Sequence, residues 1–121
     1  MATSEPDTVS SHLPLHPLEL RILLVLAGEG AAHGYRIVKA IEDRDGTVLR
    51  IFPANLYRRI RDLSARGLLE EAPVPPDEAQ ADPRRRYFRL TDLGRAVARA
   101  DAARLAGLVQ HARKVDILEP A

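Results

Sequence analysis

The arginines of residues 53–70 are the side chains in this sequence best suited to recognising a ligand. Apolar residues recur there with the i, i+4, i+7 spacing of an amphipathic helix, at Leu56, Ile60 and Leu63. At about 100° per residue, Arg58 and Arg61 fall on the opposite face, with Asn55 on one shoulder and Tyr57 on the other. In a DNA major groove, arginine reads guanine and asparagine reads adenine. The pattern therefore predicts a DNA-reading helix, and an ordinary solvated helix with salt-bridged arginines is the alternative.

Further cationic side chains could contact phosphates on either side of this helix. They are Arg36 and Lys39 on the preceding predicted helix, and the consecutive Arg84, Arg85 and Arg86 farther along the chain. Such contacts position a protein on DNA without specifying the sequence. Pro53 fits the first helical position, where its missing N–H costs nothing. Two alternatives stay open: the three arginines could be a solvated strand end, and Arg59, nearer the apolar stripe, could form an internal ion pair.

Composition excludes several other kinds of chemistry. The 121 residues carry a formal net charge of +1, so DNA binding must come from local placement of charge. There is no cysteine, which excludes disulfides, thiol catalysis and cysteine-ligated metal. The four histidines lack metal-ligand spacing, and we interpret His33 as a turn or helix-start residue. No nucleophile–base pair, phosphate-binding glycine loop or metal cluster is evident, so we predict no catalytic residue, metal or cofactor.

The same sequence predicts no membrane partner. No apolar run approaches the about 20 residues needed to span a bilayer. The first residues lack both the basic region and the apolar region of a signal peptide. We therefore expect a soluble, cytoplasmic protein.

The elements that must position the arginine helix follow in order along the chain. Residues 1–13 are polar and predict a disordered tail. The predicted elements are a helix at 18–27, a helix opened by His33-Gly34-Tyr35 and ended by Gly46, a short strand at 48–51, the arginine helix, strands at 69–74 and 85–90, and a long final helix from Thr91 to about Val115. A proline-rich loop at 73–83 separates the last two strands.

Two of these helices carry more apolar surface than a small domain can cover. The helix at 18–27 is apolar on nearly every side, and the last helix would extend about 36 Å at 1.5 Å per residue. A second subunit is the expected cover. The predicted dimer contacts are Leu18, Ile22, Val25, Val97, Arg104, Leu105, Leu108, Ala112 and Val115. Arg104 has two open interpretations, an ion pair with an acid such as Asp101 or the lining of a ligand cavity between subunits.

This order of elements predicts a mainly α fold with a small β-hairpin. We assign a winged helix-turn-helix to residues 14–90, a C-terminal dimerisation helix to 91–116 and a tail to 117–121. In a winged helix-turn-helix the third helix reads DNA, which is the helix already singled out by its arginines.

The sequence resembles the PadR family of bacterial transcriptional regulators, in particular the short subclass with a single C-terminal helix. The matching signatures cover about residues 18–95 and are His33-Gly34-Tyr35, Pro53 with Leu56-Tyr57, Leu63 with Gly67-Leu68, and Tyr87 through Leu90-Thr91 with Gly94. The resemblance implies a homodimeric repressor that binds a pseudo-palindromic operator on double-stranded DNA and is released by a small molecule. A small hydrophobic or phenolic effector and no effector at all are both open, and a winged-helix protein–protein interaction module without sequence-specific DNA binding is the alternative function.

Two departures from the family's pattern have physical consequences, one in the residues around Pro53 and one in the wing tip. Phe52 stands where Ser or Thr is frequent, so the arginine helix lacks a side-chain cap. Asn55 replaces a small hydroxyl residue and brings a group able to read a base. The acids Asp77, Glu78 and Asp82 lie in the predicted wing tip, where DNA phosphates would repel them.

Overall fold

Four long helices and a small antiparallel sheet form the fold of the computed structural model, which describes residues 9–46, 50–78 and 82–120. The helices are α1 (Pro17–Glu29), α2 (Gly34–Asp45), α3 (Pro53–Ala65) and α4 (Asp92–Lys114). The strands are β1 (Ala32–His33), β2 (Leu69–Ala72) and β3 (Tyr87–Leu90), in the order β1-β3-β2. The prediction of a mainly helical winged helix-turn-helix with a long last helix is confirmed.

The third strand lies elsewhere than predicted. Residues 48 and 49 of the predicted short strand lie outside the described residues, and Arg50 and Ile51 belong to no strand. Instead β1 pairs with β3, with Ala32 opposite Phe88 and His33 opposite Tyr87. A strand of two residues has no alternation to recognise, because a period-two pattern needs several residues to show.

The core lies where α1, α2 and α3 meet the sheet and the first turns of α4. The apolar stripe of α3 is buried as predicted, with Leu56 and Leu63 at 0% exposure and Ile60 at 3%. Because burying one stripe of a helix directs the opposite stripe outward, the burial of this stripe determines which side of α3 faces the surface.

A buried carboxylate joins α1 to the far end of α3. Glu19 is 4% exposed, and its Oε2 accepts from Arg66 at 2.7 Å and from Arg59 at 3.4 Å. Its other oxygen caps α1 by accepting from the His16 N–H at 3.1 Å. The ion pair considered for Arg59 is therefore present.

The start of α4 sits directly on the turn that follows α3. The Thr91 hydroxyl donates to the Gly67 carbonyl at 2.5 Å and accepts from the Gly94 N–H at 3.0 Å, which confirms Thr91 as the N-cap. A Cβ added at Gly94 would overlap the Leu68 carbonyl oxygen. Glycine at this position therefore permits the close approach of α4 to the chain that leads into β2.

The predicted N-terminal tail extends too far. Residues 1–8 lie outside the described residues, but Val9 and Leu13 pack against the hydrophobic core. Leu15 is 5% exposed, and its N–H donates to the buried carboxylate of Asp101 on α4 at 3.4 Å. The residues around Val9 and Leu13 are mostly polar, so composition alone predicted disorder and missed the packing of these two side chains.

The predicted dimer contacts divide into two groups in the single chain. Leu18 at 4% exposure, Ile22 at 0% and Val97 at 0% belong to the chain's own core, so they offer little surface to a second subunit. The hydrophobic faces of α1 and of the first half of α4 cover each other within the subunit. Leu108 at 59% and Val115 at 51% are exposed, whereas Val25, Leu105 and Ala112 are half-buried. Arg104 is exposed and pairs with Asp101 at 2.9 Å.

Candidate nucleic-acid interface

The outer face of α3 is cationic and polar, as predicted. Arg58 and Arg61 are exposed, Tyr57 is half-exposed and Asn55 is partly buried in the first turn. Pro53 occupies the first helical position, and Phe52 provides no side-chain cap, which confirms both expectations. The backbone N–H groups of Asn55 and Leu56 donate instead to the Phe52 carbonyl, at 2.9 and 3.0 Å.

Asn55 and Arg58 form a side-chain pair on this face. The Arg58 Nη2 donates to the Asn55 Oδ1 at 2.5 Å. The acid one turn beyond Arg58, Asp62, is engaged instead by Arg66 at 3.0 Å. Arg58 is thus held by a neutral amide and keeps its full charge.

The start of α2 lies against the middle of α3. The His33 side chain caps α2 by accepting from the Arg36 N–H at 3.2 Å, so the helix-start interpretation of His33 is confirmed. A Cβ at Gly34 would overlap the Tyr57 hydroxyl, so glycine is needed for the ring of Tyr57 to lie across α2. The His-Gly-Tyr sequence therefore has two structural roles, a cap and a close helix–helix contact.

His33 sits in an aromatic cluster beneath the wing. Its ring meets Tyr87 edge-on with centroids 5.2 Å apart and stacks beside Tyr35 at 6.4 Å. His33 is 9% exposed, and burial together with the nearby positive charge of Arg85 lowers its pKa from the usual 6.5. A neutral imidazole is the form that can accept the capping hydrogen bond.

The arginines at the base of the wing are paired with the wing's own acids. Arg84 meets Asp82 at 3.3 Å, and Arg86 meets Glu71 at 3.0 Å. Hydrogen bonds from Arg86 lower the pKa of Glu71, and hydrogen bonds from Arg84 lower the pKa of Asp82. Both carboxylates are therefore charged at neutral pH, and each offsets one arginine of the predicted DNA-binding set.

The wing tip presents less negative charge outward than its sequence predicts. Glu78 accepts a hydrogen bond of 2.5 Å from the Tyr87 hydroxyl, which raises the pKa of Tyr87. Asp82 is directed at Arg84, and Asp77 is exposed. Two of the three acids thus have partners within the wing.

Two clefts bring α3 and the wing base together. One, of about 450 Å³, has Tyr35 and Tyr57 on one side and residues 84–86 on the other. The second, of about 380 Å³, is lined by Tyr57, Arg61 and Arg86 among others. The predicted DNA-binding side chains of α3 and of the wing therefore share one face, although they lie far apart in sequence.

The two cations predicted on α2 are engaged within the protein. Arg36 pairs with Glu29 at 2.9 Å, and Lys39 pairs with Asp43 at 3.7 Å. Neither lines the clefts described above. Tyr35, in contrast, was not predicted, yet it is 65% exposed at the rim of the larger cleft. An exposed aromatic directly after a capping His-Gly pair was the signal that could have identified it.

A third cleft, of about 480 Å³, lies between α1 and α2 and is lined by Leu24, Val25, Ala40 and Ile41 with charged residues at the rim. The predicted effector cavity was placed between the first and last helices of two subunits.

Across residues 9–46, 50–78 and 82–120, no group of histidine and acidic side chains has the arrangement of a metal site. In the same ranges, no helix is long and apolar enough to cross a membrane.

A family model for the transcriptional regulator PadR-like family matches residues 22–100. That range covers more than half of the chain and contains α2, α3, all three strands and most of α1. No curated protein matches the sequence significantly.

Solved structures of similar fold include regulators from bacteria. A transcriptional regulator from Clostridium thermocellum is 21% identical, with a TM-score of 0.65 over 89% of this chain and 93% of that one. A PadR family transcription regulator from Clostridium difficile is 16% identical, with a TM-score of 0.70 over 83% and 98%. RosR from H. salinarum is 25% identical, with a TM-score of 0.60 over 83% and 79%.

Proposed function

This chain belongs to the PadR-like family of transcriptional regulators, and from that premise we propose that it is a homodimeric repressor of a promoter carrying a pseudo-palindromic operator. The observation that carries the proposal is the shared face formed by α3 and the wing base. Tyr57, Arg61 and Arg86 line one cleft there, and Arg58 is exposed on the same helix. Cationic side chains that converge from a reader helix and a wing suit a duplex with phosphates on both sides of a groove.

The side chains on this face divide by role. Arg58, Arg61 and Asn55 project from α3 and are the candidates for contacts with base edges. Tyr57 and residues 84–86 lie beside the helix and are the candidates for phosphate contacts. Arg36 and Lys39 would contact phosphate only after leaving Glu29 and Asp43, so we assign them a smaller share of the affinity.

The dimer would form through the exposed part of α4 and the outer side of α1. Leu108 on α4, Val115 directly after it and Leu24 on α1 are between 50% and 59% exposed, and a second copy of the chain could cover them. A second copy covering them would place two α3 helices on one side of the assembly. A two-fold dimer reads two half-sites about one DNA turn, or a multiple of it, apart.

A small apolar or phenolic molecule would act as the effector in this proposal. The cleft between α1 and α2 supplies apolar walls from Leu24 and Val25 beside the surface proposed for the dimer. A ligand bound there would act on the spacing of the two reader helices.

Titration of the purified protein onto its own upstream DNA and onto random DNA tests the proposal. Between about 50 and 200 mM salt, a dimer that neutralises about 6–10 phosphates loses about 10³–10⁵ in affinity. We expect that loss together with preference for its own site at every salt concentration. Equal weak binding to both DNAs would place the target promoter elsewhere, and no binding at low salt would favour the protein–protein interaction module.

Substitutions in α3 test whether its outer face binds the operator. Arg58→Ala and Arg61→Ala should each weaken operator binding without changing the circular dichroism spectrum, because both side chains are exposed. The matched control is Arg99→Ala, which removes one exposed arginine from α4. Unchanged affinity in both α3 variants would contradict the assignment of α3 as the reader helix.

A further inference from the structure

The pair formed by Asn55 and Arg58 differs from the other arginine pairs of the same face. Arg36, Arg84 and Arg86 pair with carboxylates at 2.9–3.3 Å. Arg58 donates to the Asn55 amide oxygen, and the two side chains are three residues apart, the spacing at which helix side chains are neighbours. An amide orients a guanidinium without neutralising it, so the pair holds Arg58 in place and leaves its charge for a ligand.

The pair also changes what Asn55 can offer to a base. A free asparagine reads adenine by accepting from the N6 amino group and donating to N7. In this structure one of the two lone pairs of the Asn55 Oδ1 accepts from Arg58, so a bidentate contact with adenine would have to share this oxygen with a guanidinium. The Asn55 NH₂, which donates only, has no partner among the described residues and is the group of Asn55 most open to a base.

The combined surface of the two side chains therefore presents mainly hydrogen-bond donors. Guanine presents two acceptors, N7 and O6, to the major groove, and thymine presents O4. Adenine presents a donor beside its acceptor and cytosine presents a donor, so both place like groups against the pair. An ordered arginine also loses less rotamer freedom when it binds than a mobile one does.

We propose that Asn55 is a specificity-determining positioning residue, which holds Arg58 for a guanine and directs its own amino group at an acceptor of the neighbouring base. The inference rests on the proposed DNA-binding function. It assigns a guanine, not an adenine, to the base that the first turn of α3 faces in each half-site.

The test is selection of bound sequences from a randomised pool of double-stranded DNA, using wild type and the variants Asn55→Ala, Arg58→Ala and Asn55→Asp. Wild type should enrich a guanine in each half-site, and Arg58→Ala should lose that preference. Asn55→Ala should reduce the preference for guanine at the same position by about tenfold, the size of one good base contact, although Arg58 is unchanged. Arg99→Ala is the control, because it removes an exposed arginine of α4 and leaves the α3 face unchanged.

Asn55→Asp separates the two roles of Asn55. Aspartate can still hold Arg58, although it offsets the guanidinium charge, and it presents acceptors only. A weakened guanine preference should therefore remain, while the preference at the neighbouring base should shift from an acceptor to the amino groups of cytosine or adenine. Overall affinity should fall as well, because the added charge is repelled by phosphates. The measured quantity is therefore the ratio of base preferences, which a general loss of binding does not change.

The outcomes that overturn the inference differ from those that overturn the function. A guanine preference that is unchanged in Asn55→Ala would show that Asn55 does not position Arg58. An enriched adenine that is lost in Asn55→Ala would show that Asn55 reads a base directly, as a free amide. A wild-type protein that enriches no sequence from the pool would overturn sequence-specific DNA binding, and this inference with it.

Discussion

A single side chain, His33, joins three parts of the proposed interface. It caps α2, its ring packs edge-on against Tyr87 of β3, and it stacks beside the exposed Tyr35. Each contact uses a different part of the imidazole, so few other side chains could replace it. The His-Gly-Tyr sequence is therefore as much a structural requirement as a functional one.

Because the folded protein lowers the pKa of His33, its stability should depend on pH. The unfolded chain, with its pKa near 6.5, binds this proton more readily than the folded chain does. The free energy of unfolding should therefore fall as pH decreases from above 6.5 towards the lowered pKa of the folded state. Urea unfolding between pH 5 and 8 measures this dependence, to which Arg85, Glu78 and Arg36 contribute through their charges.

His33→Asn is the control for this prediction. Asparagine is also a preferred N-cap residue, but it does not titrate. The variant should be less stable at every pH because it loses the ring contact with Tyr87, and its stability should change less between pH 5 and 8. An equal slope in both proteins would assign the pH dependence to other groups.

At the scale of elements, the wing contains its own counter-charges. The exposed acids Glu71 and Asp82 pair with Arg86 and Arg84, so in the proposed complex phosphates would replace these carboxylates. Glu71→Gln should raise affinity for the operator by at most about fivefold, since exposed ion pairs are weak. Glu70→Gln is the control, because adjacent residues of β2 point to opposite sides of the strand. Equal gains in the two variants would show a general effect of net charge.

The packing of α4 on the turn after α3 predicts opposite effects for two glycines. Gly94→Ala should destabilise the fold by about 1–3 kcal/mol, because the new methyl group overlaps the Leu68 carbonyl. Gly107 has no atom within 4 Å of an added Cβ, so Gly107→Ala should stabilise α4 by about 0.5–1 kcal/mol. Thermal unfolding of both variants decides the matter, and equal melting temperatures would contradict the close approach.

These elements also show how far the sequence could predict the fold. The start of α3 at Pro53, the cap at Thr91 and the stop at Gly46 depend on residues close in sequence, and the structure has all three. The short β1, the pairing of Asn55 with Arg58 and the burial of Glu19 were not predicted. Each of them depends on which of several neighbours a group meets in three dimensions, and periodicity carries no information about that choice.

At the scale of the whole molecule, two features favour the proposed dimer. They are the net charge of only +1 and several exposed apolar side chains. The charge is too small to hold a protein on DNA without a well-placed cationic face. Leu108, Val115 and Ile117 are more than 50% exposed, and they all lie at the end of α4 or just beyond it. The proposed dimer would cover these side chains and would bring two cationic faces to one DNA.

The proposed dimer can be tested by placing charged side chains in its predicted interface. Leu105→Glu with Leu108→Glu should shift the protein to monomer, because two carboxylates would be buried against a second copy. Ala103→Glu with Gln110→Glu is the matched control, since at about 100° per residue these positions lie on the opposite side of α4. Sedimentation at micromolar concentration measures the mass. If the first variant remains a dimer, this part of α4 does not belong to the dimer interface.

The carboxylate of Glu19 connects α1 to α3 through two ion pairs. It is buried against Arg59 and Arg66, so α1 cannot turn without moving the last turns of α3 or breaking two ion pairs. In a dimer whose subunits meet along α1, a shift between the subunits would thus change the angle at which α3 enters the groove. Linkage makes the effect reciprocal, so a DNA-bound α3 would resist the same shift. One carboxylate would then be sufficient to couple occupancy of the operator to the arrangement of the subunits.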